Sequence, residues 1–140
     1  MNPSILNPPG TLFARALMSL IFISAGISKI GGYAATQAYM ESAAVPGMLL
    51  PLVIALELGG GLALLLGFGA RIAAAALAGF SLLAALLFHA DFADQMQSIL
   101  FMKNLAITGG LLMVALHGPG AWSVERLRGN PDRDPGPLDA

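Results

Sequence analysis

The chain contains no cysteine, one tryptophan and two histidines. It has only seven Lys and Arg and eight Asp and Glu in 140 residues. Without cysteine there are no disulfides, thiolate metal sites, covalent haem attachments or sulfur nucleophiles. The scarcity of Lys and Arg and the formal net charge of −1 exclude a nucleic-acid-binding surface, which needs clustered cations to neutralise phosphates. At 11% charged residues there are too few polar side chains to cover a small soluble domain, where about 25% is usual. What fills the chain instead is 56% hydrophobic residue, for which a bilayer is the natural solvent.

The apolar residues fall into four runs, near 11–30, 48–67, 70–89 and 99–117, each close to the ~20 residues that cross a hydrocarbon core. The expected fold is therefore an all-α membrane protein, a four-transmembrane-helix bundle in a single domain of residues 11–122. Arg15 followed by the apolar Ala16–Ser28 has a signal-peptide look, but Lys29 follows directly and the cleavage pattern is poor, so the segment reads as an uncleaved first span. Residues 1–10, with Pro3, Pro8 and Pro9, read as a tail, and Thr11 as the cap of the first helix. Gly31-Gly32 ends that span, and Pro46-Gly47 with Pro51 opens the second. Between them, 33–44 is expected to be a short interfacial helix, with Tyr33, Tyr39 and Met40 toward the membrane belt and Gln37 and Glu41 toward water. Gly67 and Gly69 form a tight turn, and Asp91, Asp94 and Gln97 a polar connection. Gly118-Pro119-Gly120 stops the fourth helix before an interfacial Trp122. Residues 123–140 are expected to be a disordered cytoplasmic tail.

Arg15, Arg71, Arg126, Arg128 and Arg133 lie on one side of this arrangement, and only Lys29 and Lys103 on the other. The positive-inside rule then puts both termini in the cytoplasm. For helix association the sequence offers Ser24-x-x-x-Ser28, Gly59-x-x-x-Ala63, Ala75-x-x-x-Gly79 and Ala106-x-x-x-Gly110 as close-approach pairs.

The informative residues are polar ones inside the spans. Glu57 lies nine residues from Met48, roughly 13 Å deep. A charge at that depth costs about 2.5–3.5 kcal/mol and has to face the interior, be paired or be protonated. By depth its best partner is Lys103, some 6 Å away along the membrane normal. Lys29, His89 and Asn104 belong to the same half, so all four helices supply a polar group there: Glu57 and Lys103 as catalytic candidates, Lys29, His89 and Asn104 as ligand-binding ones. Each has a plainer reading, Lys29 as a snorkelling span end, His89 as an interfacial residue, Glu57 with its lysine as a register-fixing ion pair. Arg15 reads as snorkelling to headgroups and His117 as structural. His89 and His117 fall on opposite faces, so no bis-His haem is expected, nor a metal or nucleotide site.

Arg15, Ala25-Gly26-x-x-Lys29, Glu57-x-Gly59-Gly60, Leu66-Gly67, Arg71, Phe88-His89, Phe101-x-Lys103-Asn104-Leu105, Gly109-Gly110 and Gly118-x-Gly120-x-x-Ser123 occur in this order. In this the chain resembles the DoxX family of small bacterial four-helix membrane proteins, from about Arg15 to Glu125. Val124-Glu125 departs from the Leu-Asp usual after the serine. The resemblance implies a plasma (inner) membrane protein with a redox connection. Relatives form part of a thiosulfate:quinone oxidoreductase, and others associate with oxidative-stress enzymes. Three functions are then open: a quinone-linked subunit whose electrons come from a redox partner protein, a non-enzymatic scaffold for a redox or stress complex, or passage of protons or a small anion by a homo-oligomer along Arg15, Glu57 and Lys103.

Overall fold

A computed structural model describes residues 3–129 of the protein. They form α1 (Pro3–Gly31), α2 (Tyr33–Ser42), a 3-10 turn (Gly47–Leu49), α3 (Leu50–Leu66), α4 (Ala70–Phe88), α5 (Gln95–His117) and α6 (Val124–Leu127). Four helices are long and apolar enough to cross a membrane, over Asn7–Gly31, Gly47–Leu66, Ala70–Phe88 and Gln95–His117. The fourth starts earlier than the sequence suggested, where the Asp94 side chain accepts from Met96 and Gln97 N–H and caps α5. The first helix runs back to Pro3, so there is no separate tail over the described part of residues 1–10. Thr11 lies inside it, its hydroxyl donating to the Asn7 carbonyl at 2.7 Å, and caps nothing. Pro8 and Pro9 lie inside α1, where neither ring nitrogen can donate to the carbonyl four residues back.

α1 packs mainly on α3, α3 on α4, and α4 on α5. Phe22, Leu64, Ala74, Leu77, Ala78 and Leu111, one or more from each span, make the core. Leu20, Ile27, Leu52, Leu83 and Met102 are among the many large apolar side chains pointing outward, as lipid contact requires. The inward faces follow the polar residues: Arg15, Ser19, Phe22 and Gly26 on α1, then Glu57, Gly61 and Leu64 on α3, spaced three or four apart. Where α1 crosses α3, a side chain on Gly61 would come within 2.9 Å of Ile23 Cγ1, and one on Gly26 within 2.6 Å of Leu58 Cγ. These glycines set the approach. The expected small-residue pairs do not: Ser24, Ser28, Ala75 and Ala106 are exposed, and Gly59 and Gly79 have open space beside them. Gly110 alone of those pairs meets a neighbour closely, Met18.

α2 sits where an interfacial helix was expected, but its faces differ. Met40 is buried and Gln37 turns inward to donate to the Gly47 carbonyl at 3.3 Å, while Glu41 and Tyr39 are exposed. The helix ends in a Schellman motif, Ala44 N–H to Glu41 O at 3.0 Å and Val45 N–H to Met40 O at 2.9 Å. Its left-handed position is held by Ala44 (φ 59) instead of glycine, a strain of about 1 kcal/mol.

The chain's end is not a free tail from residue 123 onward. Ser123 is buried and caps α6, and the Glu125 N–H donates to Gly67 O at 3.1 Å. The Glu125 carboxylate in turn accepts from Ala70 N–H at 3.0 Å. These bonds dock the segment on the α3–α4 turn and order it as far as Gly129; the rest of the expected tail lies outside the described residues.

Candidate functional site

Each end of the bundle has its own polar chemistry. At one end Arg15 is buried, against the expectation that it snorkels. Its guanidinium donates to Leu64 O at 3.0 Å, to Leu65 O at 3.3 Å and to Trp122 O. Arg71 donates to Leu116 O at 2.7 Å and Ala115 O at 3.3 Å. The last carbonyls of a helix have no donor within it, so these arginines finish α3 and α5 and complement their negative ends. His117 Nδ1 lies 3.0 Å from Met113 O at the same end, a local contact.

The other end holds the candidate site. Glu57 projects from the middle of α3, its side chain 4% exposed, and meets Lys29 of α1. Lys29 Nζ is 3.0 Å from Oε1 and 3.0 Å from Oε2; its hydrogen bond is directed at Oε1, and Oε2 has no hydrogen-bond donor. The partner is thus Lys29 and not Lys103. Depth alone favoured Lys103, but α3 packs beside α1, whereas Lys103 belongs to α5, whose packing partner is α4. Lys103 is exposed and, among the described residues, has no ion-pair or hydrogen-bond partner.

These residues share one cavity. Lys29, Glu57, His89, Lys103 and Asn104 all line a space of about 410 Å³ whose remaining wall is largely apolar. His89, the C-cap of α4, donates from Nδ1 to Gln97 Oε1 at 3.0 Å. A neutral ring then offers Nε2 as an acceptor. The cover of the cavity was not foreseen from the sequence. Tyr39 and Met40 of α2, with Val45 and Leu49 after it, complete the wall. The Tyr39 ring stacks on Phe88 of α4 with centroids 5.3 Å apart. A short amphipathic helix after Gly31-Gly32 was visible in the sequence, but nothing in it said that the helix folds over the bundle. Among the described residues no group of three or more His, Asp or Glu gathers to hold a metal ion.

Four spans, ion-paired and hydrogen-bonded through their interior and apolar outside, define a small polytopic membrane protein with a cavity toward one end. The comparisons with known proteins agree in kind. The DoxX family model matches residues 10–90. The Escherichia coli (strain K12) protein described as inner membrane protein YqjF is 57% identical over 122 residues, covering 87% of this chain and 94% of the relative. Inner membrane protein YphA of the same organism is 34% identical over 127 residues, covering 86% and 91%. The chain belongs to the DoxX family. No solved structure matches it.

Proposed function

We propose that the cavity binds a quinone-class molecule drawn from the bilayer, and that the protein is the quinone-linked membrane subunit of an oxidoreductase system. The observation that carries this reading is the meeting of Lys29, Glu57, His89, Lys103 and Asn104, polar side chains from four spans, in one largely apolar cavity of about 410 Å³, large enough for a ring and the start of its tail. A bound quinone supplies two-electron, two-proton chemistry. The chain's own part is to hold it: Lys103 and the Asn104 amide donate to ring oxygens, and His89 Nε2 accepts from a hydroxyl of the reduced, quinol form. Glu57, with one oxygen free of donors, takes or returns a proton. No electron donor is evident in the chain, so a partner protein supplies electrons.

Mass spectrometry of lipids that co-purify in native-lipid particles tests this. Stoichiometric quinone in the wild type, lost in Glu57→Gln and in Lys103→Ala, is the expected result. Quinone only at the level of bulk membrane in the wild type would sink the reading. The Lys29–Glu57 pair, which joins neighbouring helices, favours the second reading, a scaffold for a redox complex whose polar residues fix helix register.

By the positive-inside rule we also assign the end bearing Arg15, Arg71 and Arg126 to the cytoplasm, with the protein in the inner membrane as the relatives' descriptions have it. The native chain has no cysteine, so single exposed ones report topology cleanly. Ala90→Cys should react with an impermeant maleimide from the periplasmic side, and Ala121→Cys only after lysis. The reverse pattern would invert the assignment.

A further inference from the structure

The cavity's charges do not balance. Lys29 and Glu57 neutralise each other at 3.0 Å. His89 is tied through Nδ1 to the neutral Gln97, and Tyr39 of α2 presents a ring stacked on Phe88. This leaves Lys103 of α5 as an uncompensated cation among the groups that face the cavity. It stands eight residues beyond Gln95, the first residue of α5, roughly 12 Å along the helix. Asn104 beside it lends its carbonyl to the Thr108 hydroxyl at 2.8 Å, while its side-chain amide has no partner among the described residues. A cation in so apolar a wall attracts a negative group far more strongly than it would in water, because the surrounding medium screens little.

Resting on the quinone reading above, we propose that the cavity holds its ligand as an anion: an apolar ring bearing one ionised hydroxyl, with Lys103 as its counter-ion and the Asn104 amide as a second donor to the same oxygen. The remaining oxygens of such a ring fall to the Lys29–Glu57 side, where an internally neutral pair suits uncharged oxygens. Selection between ligands is then set by charge on α5, and the α1–α3 pair contributes little to it.

The test is binding of two probes to the protein in lipid nanodiscs, with empty nanodiscs as the reference for partitioning. One probe is a 2-hydroxy-3-alkyl-1,4-naphthoquinone, whose acidic hydroxyl is ionised at neutral pH. The other is its methyl ether, matched in ring and tail but neutral. The wild type should prefer the hydroxy form by about tenfold, the worth of a charge-assisted over a neutral hydrogen bond. Lys103→Met should erase the preference and Lys103→Arg keep it. Lys103 is exposed and without internal partners, so its loss does not threaten folding. Equal saturable binding of both probes to the wild type overturns the anion proposal and leaves the quinone reading standing. An undiminished preference in Lys103→Met overturns the role of Lys103. Binding of neither probe above empty nanodiscs removes the quinone reading, and this proposal with it.

Discussion

Lys29→Met is expected to destabilise the protein by about 3 kcal/mol, the low end of the cost of removing one partner from a buried ion pair. Glu57 has a side chain only 4% exposed and, among the described residues, one ion-pair partner, Lys29 Nζ at 3.0 Å. Methionine fills most of the lysine's volume, so packing against α3 changes little and the loss is electrostatic. Lys29→Met combined with Glu57→Gln removes both charges and should recover most of the stability, to within about 1 kcal/mol of the wild type. Equilibrium unfolding in mixed micelles, followed by the fluorescence of Trp122, the chain's one tryptophan, would read both variants. If the double variant is as unstable as the single one, the deficit comes from packing and the ion-pair account fails.

Arg15→Met should cost more, about 4.5 kcal/mol, for a different reason. The guanidinium satisfies the carbonyls of Leu64 and Leu65 at the end of α3 and that of Trp122, all in one buried place. Hydrogen bonds to a charged group are worth about 1.5–3 kcal/mol each, and carbonyls left bare in a low-dielectric interior forfeit them without water to replace it. Arg15→Lys should rescue little. An ammonium is a point charge, whereas the three acceptors are held by a planar fork of donors. Full recovery by lysine would mean that charge near the α3 terminus matters and the fork does not.

Much of this was legible in the sequence because hydrocarbon is an unforgiving solvent. Four apolar runs of span length can be little else, and polar residues inside them must turn inward. Lys29, Glu57, His89, Lys103 and Asn104 could be named on that ground, and all five line one cavity. What was not legible was lateral order. Depth can be counted along a helix at about 1.5 Å per residue, so Lys103 looked level with Glu57. Which helix stands beside which is decided by side-chain fit, and the close approach of α1 to α3 at Gly26 and Gly61 gives Glu57 to Lys29. The small-residue pairs misled for a related reason. Spacing of four occurs on every face of a helix rich in Ala and Gly, so it cannot say which face is inside; the polar residues Arg15, Ser19 and Glu57 could have. The docked segment of residues 122–127 was hidden by its composition. Its ordering rests on a few bonds to the α3–α4 turn, and Pro, Gly and charge in its neighbourhood look like a tail.

Arg15 lies near the start of the chain, and one of its three acceptors, the carbonyl of Trp122, near the end of the described residues. During synthesis the first helix enters the bilayer with a bare cation. It gains two acceptors only when α3 has arrived, and its third only when the closing segment leaves the ribosome. The arginine end of the bundle is therefore complete only once the segment around Trp122 has been made. Until α3 and that segment are in place, the guanidinium and the last carbonyls of α3 lack the partners they have in the finished bundle.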